Sequence, residues 1–220
     1  YLTFKNLHKN EEIRRSYSIC SCPTDGELRV AVKKIENGVF STYVNETLQP
    51  GDTLDVMTPQ GNFFTEVENS NEKLYVGIVA GSGITPVMSI MKAVLNSEPN
   101  SKFVLLYGNR NKGNIIFKEE IEALKNKHME RLSVYNILSR EIADAENLSG
   151  RIDREKIEYF LQNIIDPKQV SEVFLCGPEE MILSGRDAFV EAGVDTKNVH
   201  FELFYSATAE VKKVERQNVV

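Results

Sequence analysis

The chain has 220 residues, 41% of them hydrophobic and 26% charged, with a formal net charge of −6. This composition excludes a disordered or collagen-like chain, and an isoelectric point near 5.3 excludes the clustered positive charge that a nucleic-acid surface needs. At roughly 150 residues per domain the length suits two modest cores, and three cysteines without C-x-x-C spacing, Cys20, Cys22 and Cys176, suit a reducing, cytoplasmic compartment.

The chain opens without a Met, directly in an extended segment, Tyr1-Leu2-Thr3-Phe4, as a fragment would. Alternating segments at 16–21, 27–35 and 53–58 predict short strands, separated by the turn residues Thr24-Asp25-Gly26 and Pro50-Gly51-Asp52. A short helix is predicted over 41–48, with the Ser41 hydroxyl as its N-cap. The polar stretch Asn69-Ser70-Asn71-Glu72 marks a change of texture. Beyond it, apolar strands at 75–80, 103–107, 132–138, 173–176 and 198–204 alternate with amphipathic helices at 86–95, 115–127, 154–163 and 179–192. That alternation predicts a parallel sheet covered on both faces. The expected architecture is α/β with a separate β domain: antiparallel over 1–70, doubly wound over 71–206, and a polar linker over 207–220. The uncharged run from Leu74 to Met91 is 18 residues long, nominally enough to enter a bilayer. Its glycines and Pro86 break it into strand, turn and helix start, so no membrane partner is expected.

Three glycine turns follow predicted strands. The first is Gly81-Ser82-Gly83-Ile84-Thr85-Pro86, a G-x-G-x-x-P in which the glycines admit a pyrophosphate and the helix start supplies unpaired N–H donors. It departs from G-x-G-x-x-G, and no acid follows at about 20 residues to hold a ribose; taken alone, a ligand-free strand-to-helix turn would read the same. The second is Cys176-Gly177-Pro178, the third Gly108-Asn109-Arg110. All three fall at the carboxyl edge of one sheet, where open α/β folds bind ligands, and together they point to an extended dinucleotide site. In the β part, Arg15 and Tyr17 alternate onto one strand face, a guanidinium for phosphate and a ring for stacking. A surface charge and a core aromatic remain the alternatives for the pair. Gly38-Val39-Phe40-Ser41 precedes the short helix and offers a second anion-binding N-terminus. His8, His128 and His200 have no spacing suited to metal or base work.

Four motifs in order, R-x-Y-S (Arg15, Tyr17, Ser18), G-x-x-S (Gly38, Ser41), G-x-G-x-x-P and C-G-P, resemble those of the ferredoxin-NADP reductase superfamily of flavin reductases. The resemblance runs from the first residue to about 206. Within the superfamily, Gly150-Arg151-Ile152-Asp153 and the closing Phe201-Glu202-Leu203-Phe204 are most similar to the reductase components of oxygenases, those of phenylacetyl-CoA epoxidation among them.

The resemblance implies an FAD-binding β barrel followed by an NAD(P)-binding α/β domain. It implies that Tyr17 stacks on the isoalloxazine, Arg15 holds the FAD pyrophosphate, Val32 and Lys33 line the FAD, and Gly38, Val39, Phe40 and Ser41 bind its diphosphate. Gly81, Gly83, Thr85 and Pro86 would form the nicotinamide-nucleotide turn, with Asn109 and Arg110 on the same edge and Cys176, Gly177 and Pro178 near the nicotinamide. Ser139 and Arg140 would meet a 2′-phosphate, favouring NADPH with NADH left open, and Phe204 would cover the flavin's other face. Ser18, Thr85, Cys176 and Glu202 would surround the transfer site as positioning groups. A six-stranded family barrel would begin two strands earlier than this chain, and a 2Fe-2S domain with C-x4-C-x2-C…C ligands is expected only in the full-length protein. Electrons would then pass from NAD(P)H through FAD to an iron–sulfur centre serving an oxygenase, with the oxygenase component or its iron–sulfur protein as partner. Two other readings stay open: an electron-transfer subunit of dihydroorotate-dehydrogenase type, and an NAD(P)-sensing module without turnover.

Overall fold

The computed structural model describes residues 1–8, 11–142 and 145–204; the linker expected over 207–220 lies outside them. The described chain forms a small antiparallel β unit and a five-stranded parallel α/β unit.

In the β unit, β1 (Leu2–His8) pairs antiparallel with β2 (Glu11–Tyr17) and with β3 (Asp55–Val56), in the order β2-β1-β3. The strand expected at 16–21 therefore lies earlier, ending at Tyr17. The strand expected at 27–35 does not form: its one ladder contact among the described residues is the bridge Ile19↔Val30. Leu28 and Ile35 in that segment are each 64% exposed, so no apolar face is buried to hold it extended. Residues 23–25 make a tight 3-10 turn closed by Gly26 at φ 70°. Helix α1 (Val39–Glu46) starts two residues before its predicted position, with Gly38 at the cap. Ser41 sits inside the first turn, where its hydroxyl accepts the Ile35 N–H at 3.2 Å and donates to the Gly38 carbonyl at 3.3 Å. The rings of Phe4, Tyr17, Phe40 and Tyr43 form this unit's small core.

The α/β unit comprises β4 (Leu74–Ala80), α2 (Ile84–Ser97), β5 (Lys102–Asn109), α3 (Lys118–Lys127), β6 (Leu132–Leu138), α4 (Arg154–Asn163), β7 (Val170–Gly177), α5 (Glu179–Glu191) and β8 (Val199–Leu203). The strands run parallel in the order β6-β5-β4-β7-β8. In β4 the run Tyr75–Val79 is buried without interruption, as a strand covered on both faces must be. Alternation along β7 sends Phe174 and Cys176 into the core under α2 and α3, and Val173 and Leu175 into the core under α4 and α5. Helix α3 begins three residues later than predicted, because Phe117 adopts φ 59° and closes the preceding loop before the helix can start. Helix α4 begins where Asp153 accepts the Lys156 N–H at 2.9 Å, an N-cap bond.

The connection between the units is fastened to the sheet. Phe63 and Val67 pack on the α2/α3 core, and Thr65 donates to the Glu172 carboxylate at 3.0 Å. Glu98 is fully buried and accepts from the Tyr75 hydroxyl, the Glu68 N–H and the Asn71 amide. None of the helices among the described residues is long and apolar enough to cross a membrane.

Candidate active site at the seam

Parallel strands end together. Ala80 of β4 lies opposite Gly108 of β5, and Val79 opposite Cys176 of β7, so the three glycine turns share one edge. The chain winds from β4 outward to β6 and then crosses to β7, which makes the β4/β7 boundary the switch point of the sheet, the usual ligand position in such folds. One glycine there is required by contact: a Cβ on Gly83 would lie 2.1 Å from the Cys176 carbonyl oxygen. A Cβ on Gly177 would be tight, 3.2 Å from the Ala80 nitrogen, and would displace the flexible end of Met181. Gly81 is required differently, by φ 54° with open space before it, the left-handed region that glycine enters at least cost. Thr85 is buried and donates to the Ser82 carbonyl at 3.0 Å. Pro86 is the third residue of α2, where a missing N–H leaves no helical bond unmade.

Strand β8 sets Glu202 in register beside Cys176. From the β unit, the Ser18 hydroxyl donates to Glu202 Oε2 at 3.0 Å, a contact between residues 184 positions apart. Ser18, Glu202, Cys176 and the turn carrying Gly83 and Thr85 thus form one continuous chain of neighbours. Burial, helped by the Glu202 charge, pushes the Cys176 thiol far up. Fully buried in the α2/α3 core, it stays a neutral thiol behind the turn and not a nucleophilic thiolate.

Tyr17 is half-buried, with its ring stacked on Phe40 at 5.8 Å. Burial raises its phenol against the opposing charge of Arg15, so the ring is neutral. Arg15 is exposed, donates to the Arg14 carbonyl at 2.7 Å, and has no carboxylate partner among the described residues. Two cavities lie along the seam. One of about 640 Å³ is walled by Ser18, Ser21, Leu28 and Phe64 on one side and by Pro86, Ile90 and Glu202 on the other. The second, about 310 Å³, joins Val32 and Lys33 to Ser82, Thr85 and the 113–116 loop. At α1 the Ser41 hydroxyl is engaged internally and the Gly38 N–H donates to the Ile35 carbonyl at 3.0 Å, so the first turn offers the backbone N–H groups of Val39 and Phe40.

On the far side of the sheet edge, the Arg140 N–H donates to the Arg110 carbonyl at 2.8 Å and the Ser139 N–H to the Asn109 carbonyl at 2.9 Å. The exposed Arg110 and Arg140 lie on neighbouring strand extensions, each without a carboxylate partner among the described residues. They are not beside Cys176: β6 stands three strands from β7, ~14 Å at ordinary strand spacing, a span suited to an extended ligand. Pro178 caps α5, and Phe204 follows β8 and is 42% exposed. Asn109 is buried, with its amide nitrogen enclosed and turned toward the Tyr107 hydroxyl. With the open approach at Gly81 and the free guanidiniums, the residues present fit two nucleotide coenzymes.

Sequence reasoning missed Tyr107. Its hydroxyl donates to the Gly81 carbonyl at 3.1 Å and accepts the Ile116 N–H at 3.2 Å, tying the first turn to the loop after β5. Burial pushes it up to about 12 against the hydrogen bonds from Ile116 and Asn109. The signal was available: a polar-tipped aromatic one residue before a glycine turn. Lys92 was missed as well, though it ends the 18-residue uncharged run and so puts a charge in an otherwise apolar helix.

Residues 78–187 match the family described as "Oxidoreductase NAD-binding domain" and residues 1–65 the one described as "Oxidoreductase FAD-binding domain". The chain is 40% identical over 213 residues to one of the subunits of 1,2-phenylacetyl-CoA epoxidase of Escherichia coli, covering 97% of this chain and 60% of that protein. It is 34% identical over 195 residues to the ferredoxin reductase component of 3-ketosteroid-9-alpha-monooxygenase of Mycobacterium tuberculosis, covering 88% and 50%. The chain therefore spans roughly half to three fifths of these relatives' lengths. In fold it is similar to the FAD/NAD binding domain of the nitric oxide dioxygenase of Vibrio cholerae, with a TM-score of 0.77 at 24% identity, over 93% of this chain and 83% of that one.

Proposed function

The chain belongs to the ferredoxin-NADP reductase family of FAD- and NAD-binding oxidoreductases, and we propose that it is the reductase module of an oxygenase system. The β unit, up to about residue 70, holds FAD, and the α/β unit holds the nicotinamide nucleotide. When bound, the nicotinamide supplies a hydride and the flavin accepts it and releases the electrons singly.

The protein's own part is geometric. Tyr17 offers a flat neutral face for the isoalloxazine, while Arg15 and the N–H groups at Val39, Phe40 and Ser41, next to Gly38, take the diphosphate, with Val32 and Lys33 beside it. Gly81, Gly83, Thr85 and Pro86 receive the nicotinamide nucleotide at the head of α2. Gly177 and Pro178 bound the nicotinamide, with the neutral Cys176 thiol packed behind them, and Phe204 shields the flavin from water. Ser18 and Glu202 supply a hydroxyl and a carboxylate where the two rings would meet. Asn109 and Arg110 line the edge between, and Ser139 and Arg140 suit a 2′-phosphate, favouring NADPH over NADH. By likeness to relatives whose names place them in phenylacetyl-CoA epoxidation and steroid monooxygenation, the electrons go to an iron–sulfur centre serving an oxygenase, phenylacetate breakdown first among the candidates. A 2Fe-2S cluster would belong to the longer protein. Three free cysteines suit a reducing, cytoplasmic setting.

The observation that carries this reading is the hydrogen bond from Ser18 to Glu202, because it joins the R-x-Y-S strand to the strand beside C-G-P. The test is a visible absorption spectrum of the full-length protein before and after anaerobic addition of NADPH or NADH. A flavin band that bleaches, faster with NADPH, is expected. No flavin band, or no bleaching by either nucleotide, contradicts the reading; faster bleaching by NADH overturns only the assignment to Arg140.

A further inference from the structure

We propose that Lys92 is a positioning residue for the hydride transfer, acting through a grip of helix α2 on the 21–25 turn of the β unit. The inference rests on the reading above and concerns what sets the spacing between the two coenzymes. Ser89, Lys92 and Asn96 share one face of α2, at spacings of three and four. Each reaches the same turn: the Ser89 hydroxyl donates to the Ser21 carbonyl at 2.7 Å, the Lys92 ammonium to Asp25 Oδ2 at 2.6 Å, and the Asn96 amide to the Thr24 hydroxyl at 3.0 Å. The ammonium also donates to Glu120 Oε1 on α3 at 2.8 Å, so one cation joins the β unit, α2 and α3. Asp25 is itself fixed, accepting from the Cys22 N–H at 2.9 Å and the Cys22 thiol at 3.2 Å.

Lys92 is 7% exposed. A buried cation between two carboxylates adds little net stability over an apolar side chain of similar size, but it demands a definite geometry. That geometry lies between the two halves of the proposed site. The gripped turn starts three residues after Ser18, and the head of the same helix carries Thr85 and Pro86. The α2 helix thus acts as a ruler, fixing Ser18 on the β side against the G-x-G-x-x-P turn on the other.

The test compares the full-length holoenzyme with its Lys92→Met and Lys92→Arg variants. For Lys92→Met the flavin spectrum is expected to persist, the limiting rate of flavin reduction by NADPH to fall at least about tenfold, and the nucleotide Kd to change little, since a misplacement of about 1 Å at a reacting centre can cost about 10²-fold. Lys92→Arg is expected to recover most of the rate. Independently of turnover, amide hydrogen exchange across 21–25 should accelerate in Lys92→Met, in the apoprotein and the holoprotein alike. A reduction rate within about twofold of the unmodified enzyme, or a fall in melting temperature with unchanged rate and exchange, overturns the inference. If Lys92→Met loses its flavin, the Ser89→Ala/Asn96→Ala pair decides by the same rate and exchange criteria. Failure of the unmodified enzyme to bind flavin or be reduced would instead defeat the functional reading, leaving the exchange result to judge the grip.

Discussion

The two units hold their shapes by different means. The α/β sheet has five parallel strands with both faces covered, and its core residues are set by runs such as Tyr75–Val79 that no solvent reaches. The β unit has three strands, a two-residue edge partner and a four-ring core, and it leans on the larger unit through polar contacts along α2. Stability therefore resides mainly in one unit, whereas the site needs both. Substitutions should separate the two properties according to where they fall.

The largest effect is expected for Gly83→Ala. The new Cβ would meet a backbone carbonyl at 2.1 Å, which no side-chain rotation relieves, so a loss of ~3 kcal/mol or more in denaturant unfolding is expected together with loss of NADPH-dependent ferricyanide reduction. Gly81→Ala should cost only ~1 kcal/mol, from its φ of 54° alone. Equal effects of the two would break the account of the switch-point packing.

Next is Glu98→Ala, which strands the Tyr75 hydroxyl, the Asn71 amide and the Glu68 N–H in a buried site. A loss of ~2–4 kcal/mol is expected, with turnover per folded molecule unchanged. A matching fall in turnover would mean that the connection between the units also tunes the site.

The converse pair lies in the β unit. Tyr17→Ala and Arg15→Ala should each weaken FAD retention by about tenfold while leaving global unfolding within ~1 kcal/mol for Tyr17 and unchanged for Arg15. Flavin absorbance equal to that of the unmodified protein in both variants would remove them from the proposed flavin site.

The smallest effect concerns acid. Burial would raise the Asp25 carboxyl, but the Lys92 ammonium and the Cys22 N–H and thiol overcome it and bring it down to about 2. A depressed carboxyl stabilises the fold above its unfolded value and loses that contribution as pH falls through its folded value, so the seam should weaken between about pH 4 and about pH 2. Glu120 and Arg29 face the same cluster. Asp25→Asn should flatten the acid limb of urea midpoints over that window; an unchanged limb would assign the acid sensitivity elsewhere.

The same contrast explains what could be read from the sequence. Strand β6 and helix α4 match their predicted bounds, because apolar runs and caps such as Asp153 encode them locally. The order of the glycine turns was legible too, since parallel strands must end at one edge. The segment 27–35 was misjudged because alternation specifies a face and not a partner, and among the described residues its one ladder contact is at Val30. Ser41 looked like a cap because a hydroxyl near a helix start usually is one; its pairing with Ile35 depends on the preceding loop. The partners of Lys92 and Ser18 lie 67 and 184 residues away, and nothing local announces contacts of that range.

The most direct test of the proposed site is a double-mutant cycle between Ser18 and Glu202, across the contact at which the two units meet. Limiting rates of flavin reduction by NADPH are measured under anaerobic conditions for the unmodified full-length protein, Ser18→Ala, Glu202→Gln and the double variant. The account predicts that the second substitution costs much less once the first is made, a coupling of ~1 kcal/mol or more. Additive losses, or rates unaffected by either change, would contradict a transfer site at this seam.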